Sequence, residues 1–251
     1  MVKPPVLLFL PAYDEAQAIG DVIARIPNTA AGHPVRCLVI DDGSQDRTGL
    51  VAKAAGVEVM RFDQNQGLGA AVRAGLAAGV AMGAVAVAFC DADGEYAPEE
   101  LERLLAPILA GDADYVIGSR FVGGRPRLMH TNRMIGNRLL TLWVRRMTRL
   151  PVTDGQSGYR ALSLAAASAA EIIHDFNYAQ VLTLDLVGKG FRYGEVPISY
   201  QFRTTGESFV KLGPYLRKVI PAVHRQLRAA SSVTAFECAM DLGAAGQSST
   251  T

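Results

Sequence analysis

The chain has 251 residues, of which 49% are apolar and 20% charged, with a formal net charge of +1. That composition is globular, excludes a disordered chain, and lacks the global basic field that marks many nucleic-acid binders. The three cysteines, Cys37, Cys90 and Cys238, lie far apart without CxxC or Cys/His spacing; neither a disulfide framework nor a zinc site is indicated, and a reducing cytoplasm fits.

In chain order, VLLFLP at 6–11 predicts a strand, following an N-terminal stretch too short and too proline-interrupted for a signal peptide. A helix over 15–26 ends before Pro27. CLVIDDGS at 37–44 is a strand running into a turn, and Asp46 caps a helix reaching residue 55. A strand at 57–62 is followed by LGAAVRAGLAAGVAMG, a small-residue helix expected to pack close to a sheet. A strand at 84–91, a helix opened by Pro98 and ending at 109, and a strand at 114–120 complete the first half. This alternation predicts an α/β fold with a doubly wound, mostly parallel sheet, whose ligands sit beyond the carboxyl ends of the strands. Asp41, Asp42, Asp91 and Asp93 fall at those ends. Beyond residue 130 come a helical stretch (132–149), the turn TDGQSG, a helical region over 164–189 broken near Phe176, a strand at 195–200, a polar loop and a basic helical stretch at 212–230. The chain reads as one domain over 1–230, with a nucleotide-binding half (1–120) and an acceptor half (121–230), and a flexible tail at 231–251. No apolar run is long enough for a transmembrane helix.

The stretch CDADGEYAPEE places Asp91, Asp93 and Glu95 within five positions at the end of an apolar strand. In extended backbone, carboxylates two apart point the same way. Hard oxygen ligands with open positions suit Mg²⁺ or Mn²⁺ carrying substrate phosphates. The alternative is a solvated turn leading into a helix. DDGSQDRT at 41–48 weighs towards the site, because it supplies a second acidic strand end in the same sheet.

PAYDE (11–15), VIDDGSQDRT (39–48), NQGLGAAVRAG (65–75), DADGEYAPEE (91–100), GSR (118–120), DGQSGYR (154–160) and EVPISYQFRTTGES (195–208) occur in order at natural spacing. Together they resemble family 2 glycosyltransferases of the GT-A fold, and most closely the dolichyl- or polyprenyl-phosphate sugar transferase branch. The resemblance implies metal-assisted, inverting transfer of a sugar from a nucleoside diphosphate sugar. By the same resemblance, Pro11, Tyr13, Glu15, Ile40 and Asp42 border the nucleotide, and Asp91, Ala92 and Asp93 meet the metal and diphosphate. Glu95 replaces the usual Gln and either strengthens metal binding or turns away. Asp14 stands for the usual Asn and Tyr96 for the usual His. Arg120, Arg133 and Arg203 match basic positions around the donor diphosphate and the acceptor phosphate. Lys211, two places later than the family lysine, substitutes for it if that loop is extended.

These residue types make chemical sense, since cations neutralise the charge that builds on a departing diphosphate and arginine forks suit phosphate oxygens. A phosphate acceptor is already an anionic nucleophile. A hydroxyl acceptor requires a general base, and Asp154 is the candidate; otherwise it is a turn acid bonded to its own backbone. The donor remains open between GDP-mannose and UDP-sugars. A nucleotide-sugar-binding protein without catalysis is the rival from another class; dehydrogenase, P-loop and GxSxG hydrolase readings lack their motifs.

Between Asp114 and Asp154 there is no acid, but there are eight arginines: Arg120, Arg125, Arg127, Arg133, Arg138, Arg145, Arg146 and Arg149. With Trp143 and the basic helix at 212–230, this block predicts reversible contact with an anionic membrane surface from the cytoplasmic side. Leu139 and Leu142 are expected to face the core.

Overall fold

The computed structural model describes residues 3–122, 131–175 and 178–201, without the side chains of 131–136. The expected helix at 212–230, the tail at 231–251, and Arg125, Arg127, Arg203 and Lys211 lie outside the described residues. So does the side chain of Arg133.

Three parallel strands form the centre: β1 (Val6–Ala12), β3 (His33–Asp41) and β5 (Ala86–Phe89). Phe9 of β1 pairs with Leu38 of β3 and with Phe89 of β5, so the three strands end at one edge. The start of β3 makes a hairpin with β2 (Thr29–Ala30), and its second half pairs in parallel with β4 (Glu58–Arg61). On the other side, β6 (Tyr115–Ser119) and β8 (Tyr193–Pro197) pair in parallel. Between β5 and β6 lies β7 (Arg160–Ser163), antiparallel to both. The mostly parallel expectation therefore holds, with one correction: the stretch between the turn TDGQSG and the helical region from 164, for which the sequence pattern predicts no element, forms this reversed strand. Its four residues, RALS, offer no alternation to reveal it, and it begins on a buried arginine. The last strand also starts two residues earlier than expected, and Tyr200 leaves it to bridge Tyr96.

Helices cover both faces. Val6, Leu8 and Leu10 point into a core shared with α1 (Ile19–Ala24) and α4 (Leu101–Leu109). Leu7 and Phe9 point into the opposite core, shared with α3 (Leu68–Met82), α6 (Leu164–Ala169) and α7 (Ala179–Gly188). A strand buried on both faces needs a continuous apolar run, which is why β1 reads VLLFLPA. α2 (Thr48–Ala54) packs beside α1. The small residues of α3 bring it onto the sheet: a Cβ at Gly75 would lie 2.3 Å from the Phe9 ring, and one at Gly79 2.4 Å from Val87.

α5 (Thr131–Thr148) turns Asn137, Leu140, Thr141 and Val144 inward, at helical spacing. Leu139 and Leu142 fall on the outer side and are 63% and 61% exposed. The expectation that they face the core is thereby corrected: the inward face is set by Asn137 and Thr141, polar residues that apolar periodicity does not count.

Gly75→Ala should lower the unfolding free energy by about 1–3 kcal/mol through overpacking against Phe9, outweighing the gain of about 1 kcal/mol in helix propensity. A lower urea midpoint at unchanged slope is the expected readout.

Candidate active site

The carboxyl edge of the central strands is built from two interlaced loops. Asp14 adopts a left-handed backbone (φ 54°), a conformation that Asn and Asp tolerate best. Its Oδ1 accepts from the backbone N–H of Gln45 (2.7 Å) and Asp46 (3.2 Å), and its own N–H donates to Ser44 Oγ. The Glu15 N–H donates to Thr48 Oγ1 at 2.8 Å, and the Ala16 N–H to Asp46 Oδ2 at 3.0 Å. The PAYDE and DDGSQDRT motifs are thus one structural unit. Pro11 and Ile40 are register partners within it and both are buried, Ile40 completely, while Tyr13 and Glu15 are half-buried. Asp42 accepts from the N–H groups of Gln66 (2.7 Å) and Gly67 (2.8 Å), tying this edge to the start of α3; burial nevertheless raises its carboxyl above the usual range. Asp41 is held by Arg61 Nη1 at 2.7 Å and by the Ser44 N–H.

Beyond β5 the chain turns at once. Asp93 Oδ1 accepts from the Glu95 N–H at 3.0 Å, and Gly94 has φ 78°. Asp91 and Asp93 therefore sit on a turn, a correction to the extended geometry expected from their spacing, because this side-chain bond and the left-handed glycine fold the segment back. Ala92 and Glu95 are buried. Burial first, then the neighbouring charges of Asp93 and Glu95, push the Asp91 carboxyl up to about 7, against the opposing influence of Arg120 and Arg160. Crowded anions of this kind are relieved by a cation. Among the described residues no three acidic, histidine or cysteine side chains converge as a complete metal cage. This donor set fits Mg²⁺ or Mn²⁺ held by one or two carboxylates plus substrate phosphates, as those ions prefer.

A second network stands beside the first. Arg120 donates from Nε (2.6 Å) and Nη2 (2.8 Å) to the two oxygens of Asp154, and its backbone N–H adds a third bond. Asn137 Nδ2 donates to Asp154 Oδ1 at 3.0 Å, and Thr141 links Asn137 to the Gly155 N–H. The Arg120 side chain is 8% exposed and that of Asp154 0%. Burial alone would raise the Asp154 carboxyl, but Arg120 and Asn137 bring it below the usual aspartate range. The guanidinium also lies 5.3 Å from the centre of the Tyr200 ring and 5.8 Å from that of Tyr96. Glu195 accepts from the N–H groups of Thr153 (2.8 Å) and Asp154 (3.2 Å) and from the hydroxyl of Tyr193.

Of the sequence-derived site, the structure brings Asp42, Asp91, Ala92, Asp93 and Glu95 to one edge and joins Arg120 to Asp154. Sequence reasoning passed over Asn137, Thr141, Gly158, Arg160 and Glu195. The last three lie within motifs already singled out; Asn137 and Thr141 carry only the weak signal of polar residues four apart on a helix.

The backbone is similar to that of glucosyl-3-phosphoglycerate synthase from Mycobacterium tuberculosis, solved in complex with Mn²⁺, uridine-diphosphate and phosphoglyceric acid. The TM-score is 0.73 at 22% identity, covering 89% of this chain and 78% of that one. The fold is of the GT-A type. Residues 8–164 match glycosyl transferase family 2, and the chain belongs to that family; it is a glycosyltransferase. It is 33% identical to the polyprenol monophosphomannose synthase of Mycolicibacterium smegmatis over 80% of this chain and 79% of that protein. It is likewise 33% identical to the undecaprenyl-phosphate mannosyltransferase of Micrococcus luteus, over 81% and 86%. A UDP-N-acetylglucosamine–dolichyl-phosphate N-acetylglucosaminyltransferase of Methanococcus voltae is 29% identical over 79% and 86%.

Because Asp154 has a depressed folded-state pKa, the stability it contributes is complete above the ordinary value of 3.8 and is lost as the pH falls through the lower folded value. Asp154→Leu or Arg120→Met alone should each cost about 3–5 kcal/mol by stranding a buried charge, whereas the double variant should recover most of that loss. Urea denaturation at pH 7 and pH 3 checks both statements, and the double variant should lose less stability on acidification than the wild type.

Proposed function

We propose that this glycosyltransferase moves a sugar, with inversion, from GDP-mannose or a UDP-sugar to a polyprenyl or dolichyl phosphate. A phosphate oxygen of the acceptor attacks the anomeric carbon as its bond to the nucleoside diphosphate breaks on the opposite face. The observation that carries the choice of acceptor is Asp154, both of whose oxygens are taken up by Arg120 and Asn137. A carboxylate so committed is a poor general base, and an anionic phosphate acceptor needs none. The lipid-phosphate acceptors in the names of the relatives point the same way. Asp91 and Asp93 would hold the Mg²⁺ or Mn²⁺, which supplies charge neutralisation on the leaving diphosphate. Arg133, Arg203 and Lys211 are proposed for the phosphates of donor and acceptor, with Pro11, Tyr13, Glu15, Ile40 and Asp42 bordering the nucleotide. Transfer of labelled sugar from GDP-mannose and UDP-sugars to a short polyprenyl phosphate tests the reading; turnover only with a soluble hydroxyl acceptor would overturn it. Asp93→Asn, which keeps the turn but removes the charge, should weaken Mn²⁺-dependent nucleotide binding at least ~10-fold in calorimetric titration.

A lipid-linked acceptor requires access to a membrane surface. Among the described residues no helix is long and apolar enough to cross a membrane. We propose peripheral, reversible contact at the cytoplasmic face through the outer side of α5, where exposed Leu139 and Leu142 stand among exposed Arg138, Arg145 and Arg146. The inner side of the same helix supports Asp154, so docking there would place the site close to the headgroups. Leu139→Glu/Leu142→Glu should reduce co-sedimentation with anionic vesicles at least ~10-fold, since each leucine removed from water is worth about 1.5–3 kcal/mol. No wild-type binding at low salt would count against membrane contact.

A further inference from the structure

Arg160, the first residue of β7, is completely buried, although Asp154 takes its ion pair from Arg120 instead. Among the described residues its hydrogen bonds all go to neutral acceptors. Nε donates to the Ser157 carbonyl (2.9 Å), and Nη2 to the Gly155 carbonyl (3.0 Å). Nη1 donates to the Ala179 carbonyl (2.9 Å), to Thr183 Oγ1 (3.3 Å) and to the Tyr115 hydroxyl. The rings of Tyr178 and Tyr115 flank the guanidinium, with centres 5.1 and 5.9 Å from Cζ. A buried guanidinium is a costly way to hold a turn, so what the turn touches matters. Arg160 grips the carbonyls of residues 155 and 157 and thereby sets residue 158. Gly158 donates its N–H to the Tyr96 hydroxyl at 2.8 Å and lies so close to Asp91 that a Cβ there would be 1.9 Å from Oδ2 and 2.6 Å from Oδ1. β7 itself pairs Arg160 with Phe89, two residues before Asp91.

We infer that Arg160 is a positioning residue for the cation and diphosphate site: it folds the 155–158 turn so that the bare backbone of Gly158 abuts the Asp91 carboxylate and fixes its direction. A lysine has a single ammonium and cannot span both carbonyls in the same way. A side chain at 158 would displace the carboxylate with Arg160 still in place. The inference rests on the proposed role of Asp91 in holding the metal.

The test is calorimetric titration of UDP and GDP, with Mn²⁺ and with chelator, on wild type, Arg160→Lys and Gly158→Ala, each first checked for folding by circular dichroism. In both variants the Mn²⁺ concentration giving half the metal effect should rise at least ~10-fold, the scale on which second partners of metal ligands act, while metal-free nucleotide affinity stays within ~2-fold. A general structural role would lower both affinities together. If Arg160→Lys does not fold, Gly158→Ala decides. Wild-type Mn²⁺ dependence in a folded Gly158→Ala, or equal losses with and without metal in Arg160→Lys, overturns the inference alone. Wild-type nucleotide binding that is indifferent to Mn²⁺ overturns the metal role of Asp91 and this inference with it.

Discussion

Parallel strands deliver their carboxyl ends to one edge, and at that edge this chain concentrates carboxylates that water reaches only in part. Each is managed differently. Asp41 is paired with Arg61, Asp42 is held by two backbone N–H groups, and Asp154 lies in a bidentate pair with Arg120. Asp91 is influenced by Arg120 and Arg160 only at longer range, and its neighbours Asp93 and Glu95 oppose its ionisation. Like charges therefore crowd at the turn that follows β5. In the proposed function a divalent cation and the phosphates it carries relieve that crowding, which would link the electrostatics of the fold to the chemistry of a sugar-nucleotide transferase.

The two buried arginines divide the labour of holding this edge. Arg120 is neutralised by Asp154, and the pair joins the end of β6 to the segment before β7, with α5 closing over it through Asn137 and Thr141. Arg160 instead gathers carbonyls and hydroxyls and shapes the turn between the pair and the acidic loop. A buried charge is expensive unless every donor is satisfied, so both arrangements restrict the turn to few conformations. Glycines make the close approaches possible: Gly158 against Asp91, and Gly69 against the His174 carbonyl, where α3 meets the chain before α7.

Much of this was legible in the order of residues. The strand–helix alternation, the small-residue helix and the acids at strand ends followed from periodicity and spacing, because β1, β3 and β5 are apolar enough to announce themselves. The motifs named the acidic turn and the DGQSGYR segment. Hidden were the four-residue β7, the inward polar face of α5 and the pairing of Arg120 with Asp154. Each depends on a partner distant in sequence or on a side-chain bond that no hydrophobic pattern encodes.

The sequence by itself determined the fold class, the family and the edge of the sheet where the acids of the proposed site gather, since local propensity and motif order suffice for these. Tertiary structure alone decided which charges pair with one another. Arg120 and Asp154 read in sequence as a phosphate-binding cation and a candidate base. Folding brings them within 2.6 Å of each other and buries both, and burial is what turns two separate reactive groups into one mutually satisfied pair. Composition cannot state that outcome, because it depends on two side chains 34 positions apart in sequence being brought to face one another.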